Sequence, residues 1–82
     1  MIKIAVTVTN SFSCIVGFLQ TNPDLTEDSA KELIKELIGV ANEMKYLAIE
    51  HYDGSQTVFN KKILADSIMS YRIVDEKINA TY

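Results

Sequence analysis

Apolar and polar positions alternate with a period of two over "IKIAVTV" (2–8). Ile2, Ile4, Val6 and Val8 face one way, and Lys3, Thr7 and Thr9 the other. β-Branched residues in such alternation predict a half-buried strand. "TNS" (9–11) is turn chemistry. "FSCIVGFLQ" (12–20) then loses the alternation: Phe12, Cys14, Val16 and Phe18 make one apolar face, Ile15 and Leu19 the other. This reads as a second strand, antiparallel to the first. A strand apolar on both faces is expected to be covered on both.

The period lengthens to that of a helix after the proline-containing loop "TNPDL" (21–25). Ala30, Leu33, Leu37, Ala41 and Met44 form one stripe, widened by Ile34, Ile38 and Val40. Thr26 is the expected N-cap, with Glu27 and Asp28 where the helix dipole favours acids. Leu25 and Ala30 are placed to form a hydrophobic staple around that cap. Leu37 is expected to be buried against the sheet. Gly39 inside the stripe suggests a close approach to it.

"YLAIEHY" (46–52) reads as a strand again, followed by "DG" (53–54), the strongest short hairpin signal. A two-residue turn there requires positive φ at both Asp53 and Gly54. It pairs Tyr52 with Ser55, His51 with Gln56, Ile49 with Val58 and Ala48 with Phe59. "NKKILAD" (60–66) turns a corner. "SIMSYRIVD" (67–75) makes the last strand, with Met69, Tyr71 and Ile73 on one face. The order β-β-α-β-β-β predicts an α+β fold, an antiparallel sheet with one helix packed on one face. The expected division is a single domain over 1–76 and a C-terminal tail over 77–82.

Composition narrows the functional classes. The chain has 82 residues, room for one domain, and small domains bury too little surface to be strongly stable alone. The single cysteine, Cys14, rules out an intrachain disulfide, and a core position is expected for it. No Cys/His ligand spacing appears, so neither a metal nor another cofactor is expected. A net charge of −3 with scattered lysines argues against nucleic acid as a partner. No apolar run reaches the roughly 18 residues of a membrane helix. "MIKIAVTVT" lacks the features of a signal peptide, so the expected location is cytoplasmic.

The stretch that most resembles chemistry is "EHYDGSQTVFN" (50–60), which holds the only histidine, His51. Glu50 and His51 should point to opposite faces of a strand, and Asp53 sits in the turn, so the three do not converge. A turn with surface polar groups is the plainer reading, and a small enzyme using His51 is the minor alternative. Lys61 and Lys62, with Arg72, are the candidates for holding an anionic small molecule at a subunit boundary. A solvated corner is the plainer reading of that pair of lysines.

"MIKIAVTVTN", "LTEDSAKELIKEL" and "DGSQTVFNKKILADSIMSYRIVDE" together resemble short proteins of Gram-positive bacteria and their phages. The resemblance implies an accessory or inhibitory factor that binds a host protein or sequesters a small molecule. It carries over no functional residue.

The functional expectation is a non-enzymatic binding protein acting through oligomerisation and protein–protein contact. One helix covers one sheet face, which leaves the other to a partner, and a twofold homodimer is the commonest solution. Phe12, Ile15, Phe18, Leu19 and Tyr71 are the candidate interface residues. The competing possibility is that the 20–26 loop or the tail folds over that face.

Overall fold

A computed structural model of the chain describes residues 1–75. The tail expected over 77–82, and Glu76 before it, lie outside the described residues. Five strands form one antiparallel sheet: β1 (Ile2–Thr9), β2 (Cys14–Phe18), β3 (Tyr46–Glu50), β4 (Gln56–Asn60) and β5 (Ile68–Asp75). Their spatial order is β4-β3-β2-β1-β5, so β1 lies inside the sheet and β4 and β5 form its edges. The main helix, α1 (Glu27–Gly39), lies on one face, and the fold is α+β as expected.

The core forms where the period-two pattern of β1 meets the helix. Ile4, Val6 and Val8 are fully buried, with Ala30 of α1 and with Leu47, Ile49 and Phe59 from β3 and β4. On β5, Met69, Tyr71 and Ile73 pack against this cluster, the face expected for them. Thr26 caps α1 through a hydrogen bond accepted from the Ser29 backbone N–H, and Glu27 and Asp28 occupy the first turn.

Several local expectations need correction. α1 stops at Gly39, and a separate 3₁₀ turn covers Ala41–Glu43. Only Ala30 of the helix is fully buried. Leu33 and Ile34 pack against the core, whereas Leu37 is half-buried and outside the packed cluster. The helix therefore docks through its N-terminal half, where the small Ala30 side chain lets the backbone come close. Gly39 marks no close approach: a Cβ there would meet nothing within 4 Å. Its φ is not positive. Gly39→Ala should therefore raise stability by about 0.4–1 kcal/mol through the unfolded chain's lost freedom, measured by denaturant unfolding.

β2 begins at Cys14 rather than at residue 12. The Asn10 carboxamide accepts hydrogen bonds from the Phe12 and Ser13 backbone N–H groups, both at 2.9 Å, and so holds 10–13 as a turn. Cys14 is exposed, not a core residue, because its position opposite Thr9 places it on the face away from α1. The corner at 60–66 is a short helix, α2 (Lys61–Ala65), whose N-cap is the Asn60 side chain and whose Leu64 is buried.

The hairpin forms at Asp53–Gly54, but its register is shifted by one residue from the expected one. Only Gly54 has positive φ, at 86°, and Asp53 does not. The Gly54 N–H donates to the His51 carbonyl at 3.0 Å, and the His51 N–H donates to the Ser55 carbonyl at 2.9 Å. The loop thus holds three residues, Tyr52, Asp53 and Gly54, with the glycine in the left-handed position, a common alternative to the two-residue turn. Leu47 now faces Phe59, Ala48 faces Val58 and Ile49 faces Thr57. One residue of slip exchanges the faces: Phe59 is buried, and Val58 is exposed on the other side. Gly54→Val should cost at least about 1–2 kcal/mol, since a side chain at positive φ is strained. A chemical-denaturation midpoint equal to that of the wild type would rule out this turn.

Candidate functional site

The sheet has one face under α1 and one that no described element covers. Strand register assigns the second face. Thr7 and Thr9 on β1 sit opposite Val16 and Cys14 on β2, and opposite Ser70 and Ile68 on β5. Ala48 and Val58 extend the same face onto β3 and β4. Val16 is 51 % exposed, Val58 61 % and Ile68 72 %, and Tyr46 at the start of β3 is also exposed. Charge crosses the middle of this face: Arg72, Ala5, Phe18, Glu50 and Gln56 stand level with one another across the five strands, and Lys3 is two residues from Ala5 on β1. On one side of that level lie Val16, Cys14, Thr7, Thr9, Ser70 and Ile68, and on the other lie Ala48, Val58 and Tyr46.

The sequence-derived interface candidates divide between the two faces. Phe12 is 96 % exposed at the tip of the β1–β2 turn, and Phe18 lies half-buried on the open face. Ile15, Leu19 and Tyr71 lie on the helix side and pack against the core. The apolar surface is supplied instead by Val16, Val58, Ile68 and Tyr46. Val16 and Ile68 could have been found by carrying the alternation of β1 across its neighbours. Val58 was hidden by the hairpin register.

The anion candidates do not converge. Lys61 and Lys62 are exposed on α2, which follows edge strand β4, while Arg72 lies on β5 at the opposite edge. At the usual inter-strand spacing, four steps across a sheet separate these edges by about 19 Å.

The hairpin tip carries a more local arrangement. An open cleft of about 280 Å³ is bordered by Lys3, Phe18, Thr21, Glu50, His51 and Tyr52, among others. The Phe18 and Tyr52 rings meet edge to face with centroids 5.0 Å apart. The Lys3 ammonium lies 5.2 Å from the Phe18 centroid and 5.8 Å from that of Tyr52, within cation–π range of both. Glu50 belongs to the open face, opposite Phe18 and Gln56. The His51 Nε2 lies 2.6 Å from the Thr57 Oγ1, a residue opposite buried Ile49.

A hydroxyl beside an imidazole is the first half of a nucleophile–base pair. The second half is a group that orients the imidazole, and His51 has no carboxylate hydrogen bond among the described residues. The pair works here as a polar tie between β3 and β4 next to the turn. Asp53 accepts hydrogen bonds from the Ser55 hydroxyl at 2.6 Å and the Ser55 N–H at 2.9 Å. These bonds, with the nearby His51, hold its carboxyl below the usual value of 3.8. Because the folded-state value is the lower one, this contribution is present above the unfolded-state pKa. It is lost as the pH falls through the folded-state pKa. Among the described residues no group of three or more His, Cys, Asp or Glu side chains could hold a metal ion, and no helix is long and apolar enough to cross a membrane.

The fold and this face define a small α+β domain with one sheet face uncovered by its described elements. No protein-family model, curated protein or solved structure matches the chain.

Proposed function

We propose that the protein is a cytoplasmic, non-enzymatic binding module that acts through its open sheet face, first by self-association and then by contact with a protein partner. The observation that carries this reading is the exposure of Val16, Val58 and Ile68 on the sheet face away from α1. An uncovered sheet face that exposes several large apolar side chains supports an interaction surface. A second copy packed face to face would bury it as the two halves of a β-sandwich do. The resemblance to short phage and bacterial proteins fits an accessory or inhibitory factor, whose task is to occupy a host protein rather than to turn over a substrate.

Sedimentation equilibrium at micromolar concentration tests the reading. The expected species is heavier than the 9.2 kDa chain. Val16→Lys combined with Val58→Lys should shift it to lower mass while the circular dichroism spectrum stays unchanged. A clean monomer for the unaltered chain would overturn self-association. An assembly indifferent to the two lysines would overturn the role of this face.

A further inference from the structure

The two edges of the sheet are unequal. β4 has five residues and runs directly into α2 with its two lysines, so this edge is short and ends in charge. β5 has eight residues, all registered with β1 from Ile68 to Asp75. Its other edge pairs with no strand among the described residues. Long exposed edges are ordinarily blunted by proline, by lysine or by a bulge. "IMSYRIVD" has no proline and no lysine, and its pairing with β1 is unbroken.

We infer that β5 is a second self-association site, pairing antiparallel with β5 of another copy of this chain about a twofold axis through Tyr71. The sequence of the strand selects both the partner and the register. A twofold axis perpendicular to the sheet keeps the helices of both copies on one side. Helix-side residues must then meet helix-side residues, which restricts the centre to a residue rather than a gap between two. With Tyr71 on the axis, Met69 faces Ile73 of the second copy and Ile68 faces its Val74. Ser70 faces Arg72. Seven residues of each strand pair, apolar meets apolar, and no like charges are opposed. Centring on Arg72 would set two guanidinium groups face to face. Centring on Ser70 would oppose Ile68 to Arg72 and leave Ile73 to Asp75 without partners.

The inference deepens the proposed function, because edge pairing joins two sheets into one of ten strands and makes their open faces continuous. Face-to-face and edge-to-edge contacts together close a tetramer where their two kinds of twofold axis intersect at right angles, and extend into a larger assembly where they do not. The two contacts fail separately, which keeps them distinguishable.

Oxidative cross-linking in a Cys14→Ser background tests the edge. Tyr71→Cys places two thiols on the axis, where opposed Cα atoms lie about 4.5–5.5 Å apart, within disulfide reach. It should give a covalent dimer on non-reducing electrophoresis. Ile73→Cys alone should not, because the two copies of residue 73 would be about 13 Å apart along the strands. Ser70→Cys with Arg72→Cys, both at exposed positions, should also cross-link, so the test does not depend on tolerance of the Tyr71 change. Cross-linked dimers that persist after Val16→Lys and Val58→Lys would establish the edge contact by itself. An assembly that forms in solution while both cysteine designs remain folded and uncross-linked would overturn the edge inference and leave the face contact standing. A monomer that never cross-links would overturn both.

Discussion

Replacing Gly17 with valine is expected to loosen the β3–β4 hairpin from the rest of the sheet and to lower the melting temperature sharply. β2 and β3 are joined by one registered pair, Phe18 opposite Glu50. β3 passes so close to β2 there that a Cβ on Gly17 would lie 2.9 Å from the Ile49 Cδ1 and 3.0 Å from both the Ile49 Cβ and the Glu50 carbonyl oxygen. Two of these three neighbours cannot yield by a simple rotamer change: one is backbone and one is the branch point of a side chain that is 1 % exposed. Inserting a branched side chain into such a site costs about 1–3 kcal/mol and occasionally more. In a domain of this size each kcal/mol lowers the melting temperature by roughly 4–8 °C. Alanine should act in the same direction with a smaller effect. Thermal unfolding followed by circular dichroism measures the change, and a valine variant that melts with the wild type would show that β3 does not approach β2 this closely.

The second large effect separates neighbouring residues. Phe59→Ala should cost about 3–5 kcal/mol, the usual range for truncating a buried aromatic residue. Val58→Thr should change the stability of the unassociated chain by no more than about 0.5 kcal/mol, as at other surface sites. Phe59 is 4 % exposed and faces Leu47 on the helix side, whereas Val58 faces Ala48 on the open side. A two-residue turn at Asp53–Gly54 would instead set Val58 opposite Ile49, which is buried. Comparing the two variants by urea unfolding therefore reads the hairpin register directly. A large loss for Val58→Thr with tolerance of Phe59→Ala would restore the two-residue turn. Total stabilities of about 5–15 kcal/mol are usual, so the Phe59 variant stands close to unfolding altogether.

The alternation in 2–8, the Thr26 cap and the Asp-Gly turn signal were sufficient to place β1, the start of α1 and the β3–β4 hairpin, because each is decided within a few residues. A period-two pattern needs only its own side chains. An N-cap needs only the N–H groups of the following turn, and a left-handed turn position needs only a glycine. The α+β class follows from the order of those elements. The identification of the open face was half legible. Two apolar faces on one strand announced that something beyond α1 must be covered, but the residues named for it were divided between the two sides.

What the sequence left undecided depended on distances between elements. Turn length shows in the backbone bonds of His51 with Gly54 and Ser55 and in the positive φ at Gly54, with the Asp53 carboxylate bonded to Ser55 inside the loop, and the register that follows puts Phe59 rather than Val58 in the core. The depth at which α1 docks was settled by Ala30 meeting the sheet, which left Leu37 only half-buried. Cys14 became a surface thiol through its pairing with Thr9, although its neighbours in sequence are apolar. Gly17 and Gly39 look alike in the sequence. Only the close approach of β3 to β2 makes the first a steric necessity, while open space around the second makes it dispensable. Periodicity fixes which residues share a face, because it is a property of one element. Which face is buried, how closely two elements meet and which edge stays unpaired are properties of pairs of elements, and only the tertiary structure sets them.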